Sequence, residues 1–361
     1  MAAPLVFGRL LPATAAADVN PRVWRADIRH VLFVPGIARF DTAGVPKWYM
    51  QYFTEKLLAS LRSEVDIVPR VASRQDFPWS GPLVLRAAAL QRQLLAFAHQ
   101  HRRDLNDEGI HVLGHSMGGL DARCMLLRAH EAVNGDDSSQ ATTEEKANAR
   151  DVLSLVTRLT TVATPHLGSS LADRSNSFVS KGAFMAASLG GWIDTRGFDD
   201  LIPSACDVFN QRAAAFETAV FLQPLRDAEA SHTTAVSTTD PQPQRVVPLK
   251  RPLLRTYACA MDPHRQLRPL RYLMKLNMRL HANVRDEFDG QHHDGMVSLP
   301  SAAFDEVYFR GRIEADHASV LGNYHKGHYP ETRAQFDRRL TRCFVNMCKK
   351  DDDTDDAVFV R

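Results

Sequence analysis

The feature that most constrains this chain is the sequence Gly-His-Ser-Met-Gly at residues 114–118, directly after the apolar run Ile110 to Leu113. Small residues two positions either side of a serine permit a tight strand-to-helix turn, in which the serine takes a strained conformation. Gly119 allows the next helix to approach the strand, and Leu120 to His130 has helical spacing. The pattern predicts a nucleophilic Ser116 whose hydroxyl is lifted clear of the sheet; the alternative is a tight turn without chemistry.

Strand-like and helix-like segments alternate along the rest of the chain. The predicted strands are residues 30–35, 65–71, 110–113, 153–163, 253–260 and 307–313, and the predicted helices are residues 47–61, 83–101 and 120–130. Such alternation predicts a mostly parallel sheet with helices on both faces. Pro69 lies within the second strand, which favours an edge position because proline cannot donate to a sheet ladder.

Charge and cysteine content narrow the function classes. The 361 residues include 44 Lys and Arg against 42 Asp and Glu, a net charge of +2 that gives no electrostatic case for a nucleic-acid partner. The five cysteines are odd in number, widely spaced and without a C-x-x-C pair, which argues against a zinc site or a disulfide framework and favours a reducing compartment. No run is long and apolar enough to span a bilayer.

The chain length suits one catalytic domain with insertions, which we place at residues 29–345. Residues 1–28 form an N-terminal extension that is either disordered or a targeting presequence, because they contain arginines and no acid before Asp18. This favours a cytoplasmic or mitochondrial location over secretion. The polar segments 131–150 and 226–250 are predicted surface insertions, and residues 346–361 an acidic tail.

A serine nucleophile needs a histidine base and usually a carboxylate that orients it, in the chain order Ser, Asp or Glu, His for this kind of turn. Asp294 lies in a polar turn before an apolar run, and His317 follows the predicted last strand. We choose these two. The alternatives are that they are ordinary turn and loop residues, or that another late histidine is the base: His292, His293, His325 or His328.

The oxyanion formed during acyl transfer needs two backbone donors. One is expected from the residue after the nucleophile, Met117, and the other from the loop after the first core strand, where Ile37 is the candidate. Taken alone, Pro35-Gly36 would indicate an ordinary turn.

Six segments resemble, in order, motifs of triacylglycerol lipases of the fungal mitochondrial type and, more loosely, of bacterial true lipases. They are VLFVPGIARFD, HVLGHSMGGLDARCML, LTTVATPHLGSSLAD, FDDLIPSACDVFN, HDGMVSLPSAAF and EADHASV, within residues 29–323. The resemblance implies an α/β-hydrolase fold with a helical lid insertion, here residues 176–205. The alternative for this segment is a helical hairpin that only caps the core. It also implies that Asp294 is the orienting acid and that His317 is the base.

Two departures from the family pattern matter. Pro35-Gly36 stands where the family usually has His-Gly, which leaves the Ile37 amide available but changes the packing of the loop. Bacterial lipases hold a calcium ion with an aspartate two positions after the histidine, where this chain has Ser319. A neutral hydroxyl is a poor calcium ligand. We therefore expect no metal and no cofactor.

The resemblance implies hydrolysis of acylglycerol esters, with a lipid ester as substrate and contact with a lipid droplet or membrane surface. The same triad would serve a phospholipase, a thioesterase or an acyltransferase. A catalytically silent binding protein with this fold is a further alternative, disfavoured because all three triad positions are filled.

Overall fold

A six-stranded sheet in the order β2-β1-β3-β4-β5-β6, with every neighbouring pair parallel, lies at the centre of the computed structural model. Its strands are β1 His30–Val34, β2 Val68–Val71, β3 Ile110–His115, β4 Val156–Val162, β5 Leu253–Cys259 and β6 Phe309–Ile313. The structure describes residues 28–37, 53–72, 78, 81–102, 105, 109–135, 141–173, 196–222, 253–266, 268–290, 292–324, 326–327 and 329–348. The strand that contains Pro69 is at the edge, as expected.

Ten α-helices occur among these described residues. They are α1 Glu55–Glu64, α2 Leu83–Gln100, α3 Met117–Asn134, α4 Thr143–Leu155, α5 Arg196–Asp199, α6 Pro203–Glu217, α7 Arg268–Leu280, α8 Ala282–Phe288, α9 Leu299–Ala303 and α10 Arg333–Cys348. Short 3-10 turns at Ser170–Ala172 and Ser319–Leu321 follow β4 and β6.

Two apolar cores, one on each face of the sheet, follow from the alternation of side chains along fully buried strands. In β1, Leu32 and Val34 face one core, with α2, α3 and α4, whereas Val31 and Phe33 face the other, with α1 and α10. Phe344 of α10 packs against Phe33 in the second core. Because all strands are parallel, their carboxyl ends meet at one edge of the sheet.

The structure differs from the sequence expectation at the 131–150 segment. Helix α3 continues to Asn134, and α4 occupies Thr143–Leu155, so β4 begins at Val156 and not three residues earlier. Thr142 and Glu145 form a reciprocal capping box at the start of α4. This T-x-x-E signal was present in the sequence. The helix is mostly exposed, which suits a surface segment.

Several predicted segments lie partly or wholly outside the described residues. These are the N-terminal extension up to residue 27, most of the lid (residues 176–195), the insertion 226–250 and the tail from residue 349. Only α5 and the start of α6 represent the predicted lid range. Among the described helices, none combines the length and apolar character needed to cross a membrane.

Candidate active site

Ser116 lies at the turn between β3 and α3, with φ 55° and ψ −133°, a conformation that side-chain-bearing residues rarely adopt. Its N–H donates to the carbonyl of Val162 at 3.0 Å. A Cβ at Gly114 would come within 2.6 Å of the Gly119 Cα, and one at Gly118 within 2.8 Å of the Pro35 carbonyl oxygen. The strand, the turn and the helix therefore fit together only with small residues at these positions.

The structure brings together the three residues that the sequence singled out. His317 Nε2 lies 2.9 Å from Ser116 Oγ, and His317 Nδ1 lies 2.7 Å from Asp294 Oδ2. With a proton on Nδ1, the imidazole presents the lone pair of Nε2 to the serine hydroxyl. This is the order of contacts that activates a serine nucleophile.

Asp294 is completely buried, and both of its carboxylate oxygens are engaged. Oδ2 faces His317, while Oδ1 accepts from the N–H groups of Met296 at 2.9 Å and Val297 at 2.7 Å. The backbone N–H of His317 also donates to the Asp294 carbonyl at 3.0 Å. The acid and histidine loops are thus joined by main-chain and side-chain bonds, which fixes the orientation of the ring.

The loop that carries His317 is ordered by its own side chains. Asp316 Oδ1 accepts from the N–H groups of Ala318 and Ser319, and Ser319 Oγ accepts from the N–H of Asp316 and from the Tyr329 hydroxyl. Ser319, for which no role as a metal ligand was expected, therefore acts as a hydrogen-bond centre. Among the described residues, no group of three His, Cys, Asp or Glu side chains is placed to hold a metal ion.

The neighbouring His115 helps to hold His317 in position. Its Nε2–H donates to the carbonyl of His317 at 3.0 Å, and the two rings lie 4.7 Å apart between centroids. Burial, and then the neighbouring His317, hold the pKa of His115 well below its usual value, so the ring is neutral. His115 was not among the residues singled out from the sequence, although it occupies the variable position just before the nucleophile.

The loop after β1 passes directly over the nucleophile. A Cβ at Gly36 would lie 2.7 Å from the Ser116 Cβ and 3.1 Å from its Oγ, so the main chain here approaches the serine as closely as glycine permits. Ile37 follows this contact and packs partly buried against the core. Met117 is the first residue of α3, where backbone N–H groups have no partner within the helix. Both oxyanion candidates therefore border Ser116.

A buried ion pair ties this loop to the scaffold. Arg86 of α2 and Asp121 of α3 have fully buried side chains and approach to 2.6 Å, and Arg86 Nη2 also donates to the Pro35 carbonyl at 3.3 Å. Burial raises the pKa of Asp121 to about 6, although Arg86 opposes this shift. This pair was not predicted from the sequence, because nothing in the helical pattern of α2 indicates a partner 35 positions away.

The histidine of the A-T-P-H-L-G-S segment belongs to another buried network. His166 Nδ1 accepts from Arg123 at 3.0 Å, and His166 Nε2 lies 2.8 Å from Thr161 Oγ1. Arg123 also binds Glu217 and Asn210 of α6. Burial and the Arg123 charge lower the pKa of His166 well below its usual value. The network therefore connects α3, through Arg123, to α6 and to the carboxyl end of β4.

These buried histidines predict a stability that depends on pH. The pKa values of His111, His115 and His166 are all lowered in the folded protein, so their stabilising effect is complete above about pH 6.5 and is lost as the pH falls. The raised pKa values of Asp121 and Asp200 act in the opposite direction, but four histidines, including His293, have lowered pKa values. We expect urea midpoints to be lower at pH 5.5 than at pH 7.5.

His111→Gln provides the matched variant for that measurement, because a glutamine can still bond Thr160, whose hydroxyl lies 2.8 Å from His111 Nε2. It should flatten the dependence of the midpoint on pH. A midpoint that is unchanged or higher at the acidic pH would contradict the expectation.

Comparisons with known proteins fit this geometry. Residues 87–189, under a third of the chain, match the family described as "Putative serine esterase (DUF676)", and this range includes Ser116. No curated protein sequence gives a match. Among solved structures, lipase 1 from Pelosinus fermentans is 13% identical with a TM-score of 0.51, covering 88% of this chain and 98% of its own. EstA from Clostridium botulinum is 13% identical with a TM-score of 0.51, covering 90% and 89%.

The structural likeness confirms the α/β-hydrolase fold expected from the sequence. The compared structures are of bacterial lipases and esterases, and nothing in them singles out the fungal mitochondrial type. The family match over residues 87–189 supports a serine esterase, whereas the compared structures show the fold alone.

Proposed function

We propose that this protein is a serine lipase that hydrolyses acylglycerol esters through a Ser-His-Asp triad and an acyl-enzyme. The observation that carries the proposal is the continuous hydrogen-bonded chain from Ser116 Oγ through His317 to Asp294 Oδ2. The ordered set of lipase-like motifs around these residues supports the choice of an acylglycerol over other esters.

In the proposed mechanism, Ser116 attacks the ester carbonyl while His317 Nε2 takes its proton. The carboxylate of Asp294 keeps the imidazole in the required tautomer and stabilises the imidazolium that forms. The developing oxyanion accepts hydrogen bonds from the N–H groups of Ile37 and Met117. His317 then protonates the leaving alcohol, and a water molecule activated by the same ring releases the fatty acid.

A substrate panel tests the proposal. The rates on emulsified triolein, a short-chain ester, phosphatidylcholine and an acyl thioester should be compared for the wild type and Ser116→Ala. We expect triolein to be hydrolysed by the wild type, faster than phosphatidylcholine or the thioester. A preference for phosphatidylcholine or the thioester would replace the lipase assignment by one of the alternatives with the same triad.

Asp294→Asn should reduce kcat by about 10²–10⁴-fold with a smaller change in KM, since an amide can favour the wrong imidazole tautomer. Its Oδ1 can still accept from Met296 and Val297, so the loop should fold. Circular dichroism and the thermal midpoint serve as the control. An activity close to that of the wild type would show that Asp294 does not orient His317.

A further inference from the structure

Helix α7 combines exposed apolar and basic side chains on one face. At 100° per residue, positions 272, 275, 276, 279 and 280 lie on the same side of the helix. Tyr272 is 71% exposed and Leu280 is 56% exposed, and Lys275 and Arg279 are exposed between them. In the described part of the chain, neither Lys275 nor Arg279 forms an ion pair. This face therefore combines two large, exposed apolar side chains with two exposed basic ones.

The opposite face of α7 is firmly held. Met274 packs with Leu171, Val284 and Phe288 in a small apolar cluster, and Met278 lies against it. The exposed face is therefore presented by a helix that has already buried its inner side.

The charge around α7 is one-sided. Between Asp262 and Asp286 the chain has six Lys and Arg residues and no Asp or Glu, whereas the whole chain is nearly balanced. A basic helix with exposed aromatic and aliphatic side chains is typical of elements that lie in the interface of an anionic membrane.

The position of α7 relates this face to the active site. The N–H of Met261, just after β5, donates to the carbonyl of His293, the residue before Asp294. The segment that contains α7 and α8 therefore begins and ends close together, at the carboxyl edge of the sheet. Glu287 of α8 also accepts from the N–H of Ser170, in the turn that follows β4.

We propose that the α7 face formed by Tyr272, Lys275, Arg279 and Leu280 docks on an anionic lipid bilayer. The basic side chains attract acidic headgroups, and the tyrosine and leucine enter the boundary between headgroups and acyl chains. Docking at this edge would bring the carboxyl ends of the strands, where Ser116 lies, close to the lipid surface. The link to catalysis rests on the proposed lipase function, but binding itself does not.

Vesicle sedimentation with the full-length Ser116→Ala protein tests the proposal without hydrolysis of the lipid. Vesicles of phosphatidylcholine alone are compared with vesicles that also contain phosphatidylglycerol, at low and at high salt. We expect binding to the anionic vesicles and a loss of that binding as salt increases. Lys275→Glu/Arg279→Glu should weaken binding about thirtyfold or more, and Tyr272→Ser/Leu280→Ser should weaken it roughly tenfold.

Lys146→Glu/Arg150→Glu is the matched control. It reverses two charges at the same spacing on α4, which leads into the amino end of β4, away from the site. This variant should bind as the parent protein does. Absence of binding to anionic vesicles, unaltered binding by the α7 variants, or an equal loss in the control would each overturn the proposal.

Hydrolysis of a soluble short-chain ester separates the two proposals. The Lys275→Glu/Arg279→Glu variant with Ser116 intact should retain this activity, because neither residue contacts the triad. An inactive wild type that still binds anionic vesicles through α7 would refute the lipase function and leave the docking surface. A wild type that hydrolyses the ester but does not bind anionic vesicles would refute the docking surface and leave the proposed hydrolase function.

Discussion

Ser116→Ala should abolish ester hydrolysis, with a fall in kcat on the order of 10⁴–10⁶-fold, while the fold and thermal midpoint change little. Ser116 Oγ lies 2.9 Å from His317 Nε2, and it is the only non-hydrogen atom that the substitution removes. Alanine keeps the Cβ that already tolerates φ 55° at this turn, so the strained backbone is no less favourable than before. The rates of a soluble ester under single-turnover and steady-state conditions provide the measurement.

A fluorophosphonate probe gives an independent readout of the same prediction. It should label the wild-type protein on Ser116 and fail to label Ser116→Ala. His317→Ala should be about as inactive, because the serine then has no base. His99→Ala, on the exposed end of α2, is the matched control and should retain full activity. Labelling of another serine, or turnover near the wild-type rate in either site variant, would exclude the proposed mechanism.

The parts of the site that could be predicted are those with a local signature. Gly114 and Gly118 around Ser116 indicate a tight turn because the required conformation excludes larger residues, and the structure has that turn. Asp294 was chosen because it lies in a polar turn before an apolar run, and His317 because it follows the last strand in the required chain order. The fold brings both to Ser116. The parallel sheet followed in the same way from the alternation of apolar strands and amphipathic helices.

The parts that could not be predicted depend on pairing between distant segments. Arg86 meets Asp121 only because α2 and α3 pack side by side, and its bond to the Pro35 carbonyl exists only once β1 is in place. Tyr329 reaches Ser319 across a turn that has no sequence signature. In each case a polar group is buried, so its partner is essential to stability, yet only the tertiary fold decides which partner it meets.

Two glycines of α3 show the difference between a local sequence signature and a tertiary contact. Gly118 and Gly119 look alike in sequence, but a side chain at each position would meet different atoms. A Cβ at Gly118 would meet the carbonyl oxygens of Val34 and Pro35, which are main-chain atoms of β1 and the oxyanion loop. A Cβ at Gly119 would meet the side chain of Thr164, with its Cγ2 at 2.8 Å, and Thr161 Cγ2 at 2.9 Å.

We therefore expect Gly118→Ala to lower the free energy of unfolding by about 3 kcal/mol or more, because the backbone has to move. This exceeds the roughly 1 kcal/mol by which alanine favours a helix over glycine. The same movement would shift the loop that carries Ile37, so the soluble fraction of this variant should also lose activity. Because the clash is with main-chain atoms, replacing a neighbouring side chain should not restore it.

Gly119→Ala should also be destabilising, but Gly119→Ala/Thr164→Ala should recover much of the loss. The Thr164 hydroxyl is buried and makes no hydrogen bond in the described part of the chain, so its removal has little cost of its own. Recovery should be incomplete, since the contact with Thr161 remains. Urea unfolding of the single and double variants measures the coupling between the two positions. Thr164→Ala should not restore the stability of Gly118→Ala. If it restored that stability equally well, the contact of α3 with the main chain of β1 could not be the reason that glycine is required at position 118.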